Sequence, residues 1–173
     1  MPRKKRTEPV ALRIEDVHAL VAAVNLTDIV LHEERGRRIY WTDSQRDELK
    51  FPITANSLGM REEGPEVRFR FRSVFSDERA EFVADVEAVY SADQEITVDE
   101  AVIREFAERV AFMAAYPFIR ASIYSSASRL NVPAPVLGMV RQGEFSLGEK
   151  LTEDESQAAF GDTVSEFTGE ADN

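Results

Sequence analysis

Two histidines, a crowd of serines and a few acidic side chains are the residues of this chain that could carry chemistry. His18 lies in an apolar-spaced segment, and His32 stands beside Glu33 and Glu34. A histidine next to a carboxylate can move a proton or help hold a metal, but a metal cage needs several ligands at fixed geometry. One histidine and two neighbouring glutamates do not make one, so no metal site is expected. Ser122, Ser125, Ser126 and Ser128 crowd one segment with no base placed near them. They read as small residues that let a helix pack closely. No Gly-x-Ser-x-Gly elbow occurs, and Gly59 and Gly64 bracket a turn instead of opening a helix after a strand. The chain has no cysteine, which excludes a thiol nucleophile, a disulfide and a thiolate zinc site. The sequence therefore points to no catalytic residue and no cofactor, and an enzyme ranks behind a binding protein.

Binding needs apolar side chains where a core does not claim them. Tyr40 and Trp41, the single tryptophan, sit in a polar connection from Gly36 to Glu48. Such rings bury against something: either the connection folds down on the core, or the rings line a groove. Leu137, Met139, Val140 and Phe145 follow a pair of prolines near the end of the apolar sequence. They are candidates for a groove wall and equally for core. Methionine suits an adaptable wall because its thioether chain fits many shapes.

The elements that must position these residues follow from periodicity. Leu12, Ile14, Val17, Leu20 and Val21 space like a short amphipathic helix. Leu26–His32 is β-branched and apolar, with Glu33–Gly36 ending it, and Leu49–Ala55 reads as a second strand whose Pro52 demands an edge or bulge. Val67, Phe69 and Phe71 alternate with Arg68, Arg70 and Arg72. Phe82, Ala84, Val86 and Ala88 alternate with Val83, Asp85, Glu87 and Val89. This period of two gives each strand one apolar face, and the short Ser76–Arg79 link predicts a hairpin that sets the arginines near Asp85 and Glu87. Four strands on short loops predict an antiparallel meander. From Thr97 or Asp99 the period turns helical, with Val102, Ile103, Phe106, Val110, Met113 and Ala114 on one face. Pro117 predicts a break near Tyr116, and Asn131–Pro135 ends the helix. Strands followed by helix predict an α+β domain.

The 173 residues are 43% hydrophobic and 31% charged, with a formal net charge of -11. That supports one domain with a real core and disfavours broad contact with nucleic acid or anionic lipid. No apolar run approaches the roughly 20 residues of a membrane span. No signal core follows the basic start, so a cytoplasmic location without membrane insertion is expected. Residues 1–11 read as a basic disordered arm, 12–148 as the folded domain and 149–173 as an acidic disordered tail. Phe160 and Phe167 are the tail's only aromatics.

Ala115-Tyr-Pro-Phe-Ile-Arg120 and Arg129-Leu-Asn-Val-Pro-Ala-Pro-Val136, set behind four strands, resemble the SecB family of export chaperones over residues 24–145. In that family an aromatic-Pro-aromatic step breaks a long helix, and a proline-containing loop follows a second helical stretch. Gly138 and Gly143 disfavour the regular helix that enterobacterial members place next. With the basic arm, this looks more like the divergent actinobacterial SecB-like branch, some of whose members guard toxin–antitoxin pairs. The resemblance implies a four-stranded antiparallel sheet packed on a long Pro-broken helix. It implies an ATP-independent holdase that binds unfolded polypeptide, for export or for protection of an antitoxin. It implies a homotetramer, built as a dimer of dimers. It assigns Tyr40 and Trp41 to one wall of the client groove and the post-proline residues Leu137, Met139, Val140 and Phe145 to the other. By motif position Asp28 and Asp85 match two acids that contact the translocation ATPase SecA, while His32 replaces a third. The rival in another class is an adaptor that binds one specific folded partner.

Overall fold

The computed structural model describes residues 11–49, 51–141, 144–148 and 151–160. Nearly all of the expected basic arm, and the tail beyond residue 160, lie outside that range.

The alternating arginine strand and its neighbour form the centre of the molecule. Strands β4 (Glu66–Ser76) and β5 (Ala80–Ala92) pair antiparallel, with Phe69 opposite Ala88 and Phe71 opposite Val86. Asp77 accepts from the backbone amides of Arg79 and Ala80, which closes the turn the sequence predicts. β3 (Ile53–Glu63) pairs with β4 through a turn where Gly64 takes φ 59, a left-handed value that favours glycine. These three strands make the expected meander. The fourth, β2 (Val24–Arg38), does not continue it, because it pairs with β5 and gives the order β2-β5-β4-β3. The link from β2 to β3 therefore crosses the sheet end, and β2 and β3 are the two edges.

Three further boundaries differ from the sequence reading. Leu12–Ile14 is not helical. It forms β1, which pairs in parallel with β6 (Ile96–Val98), and only Val17–Ala23 makes α1, capped by Asp16. Gly36 does not end its strand. A Cβ there would sit 3.1 Å from both Ser126 and Leu130, so its missing side chain lets the long helix lie close over β2. The second predicted strand begins only after Pro52, at Ile53, and runs on through Gly59.

The long helix covers one sheet face. α3 (Glu100–Phe106) passes through a π turn (Ala107–Ala111) into α4 (Phe112–Leu130). Helical structure continues through Pro117, so the irregular turn lies earlier than the break expected near Tyr116. The π turn holds one residue more than an α turn and rotates everything after it. Val102, Ile103 and Phe106 are buried as their spacing predicts. From the end of the turn onward Ala111, Phe112 and Ala115 are buried, while Val110, Met113 and Ala114, the positions regular spacing would bury, are only partly covered. Phe106 stacks on Phe69 at 5.4 Å and meets Tyr90 edge-on at 4.9 Å. Each such buried ring contributes about 1.5–3 kcal/mol. Ser122 and Ser126 are buried in the helix–sheet contact, the packing role their size suggests. Asn131 ends α4 at φ 52, with the Val132 amide donating to the Ala127 carbonyl.

The opposite, outer sheet face is charged. Arg70 donates from Nε and Nη2 to both Asp85 oxygens at 2.8 and 2.7 Å, Arg72 pairs with Glu33, and Arg68 lies 3.7 Å from Glu87. A further difference from the sequence reading appears in the acidic tail. Glu153–Phe160 forms α5, and its Phe160 is only 8% exposed, on the outer face beside Gly59 and Arg70. Apolar burial of one ring and a local capping box give this segment the order its charge content argued against.

Candidate functional site

Phe112, Tyr116, Ile119 and Ile123 recur at three- and four-residue spacing along α4 and form one stripe. That stripe is the floor of an open cleft of about 430 Å³. Pro52, Thr54, Asn56, Ser73 and Phe75, from the β3–β4 side of the sheet, make one wall. The other wall is the segment after α4, through Val136, Leu137, Gly138, Val140, Glu144 and Phe145. The prolines and Asn131 explain why that segment is not helical, and its described residues carry no strand either.

A wall without secondary structure must be tied down by side chains. The Tyr116 hydroxyl donates to the Gly138 carbonyl at 2.5 Å. Glu108 accepts from the Leu147 amide at 2.7 Å, and Arg104 donates to the Gly148 carbonyl at 3.1 Å. Phe145 stacks on Phe112 with centroids 3.8 Å apart and meets Phe71 edge-on. Burial raises the Tyr116 pKa above its ordinary value, with the Arg120 guanidinium opposing that rise, so the hydroxyl stays a donor at neutral pH.

The sequence-derived groove residues divide. Leu137, Val140 and Phe145 line this cleft together. Met139 does not, being 81% exposed and turned away. Nor do Tyr40 and Trp41. The connection that carries them contains α2 (Asp43–Glu48), started by a Thr42–Gln45 capping box. Trp41 packs on Phe51 at 5.3 Å and donates from its indole nitrogen to the Asp77 carbonyl, while Tyr40 is 87% exposed. The tryptophan thus folds down at the sheet end, next to the cleft-lining Pro52 but outside the cleft. The floor residues Phe112, Tyr116, Ile119 and Ile123 were missed as site residues. Their spacing was visible, but nothing in it separates a covered stripe from one half open to solvent.

The acidic pair expected to face a partner also divides. Asp28 is exposed and accepts from the Ile29 amide. Asp85 is 1% exposed and held by Arg70, with Arg72 3.8 Å away. It is a cross-strand ion pair, and a buried carboxylate with both oxygens engaged offers no surface to a second protein. His32 does meet a carboxylate: its Nε2 lies 3.1 Å from Glu87 on the outer face. That pair stands apart from the cleft, and among the described residues no three metal-ligating side chains gather. Within the cleft the ionisable lining residues are Tyr116 and Glu144. The arrangement can bury apolar side chains of an extended chain beside a few hydroxyl, amide and carbonyl groups.

No protein-family model matches the chain. The SecB-like chaperone SmegB of Mycolicibacterium smegmatis is 34% identical over 139 residues, which span 80% of this chain and 88% of that protein. Among solved structures, a Mycobacterium tuberculosis SecB-like chaperone in complex with a ChAD peptide from an antitoxin has a TM-score of 0.58. It is 16% identical and covers 72% of this chain and 92% of its own, a likeness of fold.

Proposed function

The chain belongs to the SecB-like chaperones, and from that premise we propose that the cleft over Phe112, Tyr116, Ile119 and Ile123 is where it holds unfolded polypeptide. The observation that carries this is the cleft itself: an open apolar trough of about 430 Å³ whose second wall is an irregular segment tied down at a few points. The volume sits at the low end of ligand sites. It takes a few side chains of an extended segment, not a folded domain. Binding by area needs no particular client sequence, and no nucleotide is required for reversible burial.

Ordering a loose client costs about 1–2 kcal/mol per residue, so one short trough binds weakly. Several clefts in one assembly raise affinity through effective concentration. A homotetramer of the family's dimer-of-dimers type is the proposed assembly. Exposed Val21, Leu26 and Leu31, on α1 and the β2 edge, offer apolar surface for it. The proposed client is a flexible antitoxin segment, by analogy with the peptide in the Mycobacterium tuberculosis complex. Service to export through SecA keeps one of its two supporting acids, Asp28. The proposed place of action is the cytoplasm; among the described residues no helix is long and apolar enough to cross a membrane.

The test is aggregation suppression with several unrelated unfolded proteins at stoichiometric ratios, without ATP. Protection of several supports a holdase with a general trough. Protection of one alone supports the adaptor, and protection of none sinks the proposal.

A further inference from the structure

The sequence stretch Thr152-Glu-Asp-Glu155 is a capping box. The Glu155 amide donates to the Thr152 hydroxyl at 3.3 Å, and Glu155 Oε2 accepts from the Thr152 amide at 2.8 Å. The bonds this carboxylate accepts from the Thr152 amide and hydroxyl hold it below its ordinary pKa. A helix start is therefore written into the acidic segment, and the helix ends on its one buried residue, Phe160.

Phe160 sits in a slot with two built sides. One is Gly59, in the middle of edge strand β3: a Cβ there would lie 3.7 Å from the ring, in ordinary contact, so only a side chain larger than alanine's would enter the ring's space. The other is the Arg70 guanidinium, 5.3 Å from the ring centroid in a cation–π contact. Arg70 is 5% exposed and fixed by both oxygens of Asp85. Its position does not depend on Phe160, so the slot persists when the ring leaves. The cover is held lightly: Ser156 and Ala159 are partly buried and the rest of α5 is exposed. Eight residues is below the length of about 12 at which an isolated helix is even marginal.

We propose that α5 is a detachable cover, and that the Gly59–Arg70 slot is a second binding site of this chain, distinct from the client cleft. It takes an aromatic side chain carried on a short acidic segment of a protein partner, the chemistry its present occupant displays.

The probe is a labelled peptide with the sequence of Leu151–Phe160, titrated against the full chain and followed by anisotropy. In the unaltered chain the tethered copy competes at the millimolar effective concentration typical of a short link, so F160A should bind the peptide at least about tenfold more tightly. The same peptide with its Phe replaced by Ala should not bind. Adding G59V, whose methyl groups enter the ring's space while suiting a strand, should abolish binding. Adding L137D in the client cleft should leave it intact. Equal peptide affinity in the unaltered and F160A chains, no binding to either, or loss with L137D in place of G59V overturns the proposal. An unfolded client bound by F160A as by the unaltered chain reports that fold and cleft are unharmed.

Discussion

Leu137→Asp is the substitution that most directly tests the cleft. Leu137 is partly buried in the free protein and lies on the irregular wall, outside every helix and strand. A client that fills the cleft covers the remaining part of its side chain. Burying a whole leucine contributes about 1.5–3 kcal/mol, so the share a client adds is about 1 kcal/mol. An aspartate in its place also loses water on one side as the client arrives, which costs about 1–3 kcal/mol more. The sum is about 2–4 kcal/mol, and at 1.4 kcal/mol per factor of ten the client should bind roughly 30- to 1,000-fold more weakly. The assay is anisotropy of a labelled, permanently unfolded polypeptide, with thermal unfolding in parallel. Leu137→Met keeps the volume and should bind within about threefold of the unaltered chain. Client affinity within about twofold for a folded Leu137→Asp chain would refute the placement of the site.

Three other outcomes follow from the geometry. Tyr116→Phe removes only the hydroxyl that donates to Gly138; losing about 1 kcal/mol should speed hydrogen exchange of nearby wall amides about fivefold, with the sheet unaffected. Burial pushes the Tyr90 hydroxyl from 10.0 up to about 12. Its contribution is present below pH 10 and disappears as pH rises from 10 to about 12, because the unfolded chain ionises first. The unaltered chain should then lose at most about 2.7 kcal/mol more than Tyr90→Phe, read from denaturant midpoints at both ends of that range. Arg70→Met strands the Asp85 carboxylate, which Arg72 alone among the described cations then approaches. It should destabilise by about 3–5 kcal/mol, and the double change with Asp85→Leu should recover most of that.

What could be read from the sequence was whatever depends on near neighbours. The alternation of Val67–Arg72 with Phe82–Val89 fixed both faces of the central hairpin, and with them the meeting of Arg70 and Asp85. Asn131 and the prolines fixed the end of α4. The return of β2 to β5 was not legible, because pairing across more than forty residues leaves no local trace. Gly36 was misread for a related reason: a glycine that admits a helix and a glycine that ends a strand are spelled alike. Trp41 had two burial partners open to it, and only the fold shows that Phe51 and Asp77 lie nearer than the cleft. The Thr152–Glu155 signal stands in plain letters, but the acidity around it pointed to disorder and it went unread.

The surplus residue at Ala107–Ala111 means that the two halves of the long helix are clocked separately. The first half answers to Phe69 and Tyr90 in the sheet; the second sets which side chains look into the trough. Excising one alanine from that stretch would restore a uniform winding and leave the downstream half presenting the same faces. Phe112 would keep its stack with Phe145, and the trough its floor, whereas regular winding of the uncut chain would turn both away by about 100°. Any alignment of this helix with a relative by regular spacing will therefore match one half and misplace the other, unless a one-residue gap is opened at this point.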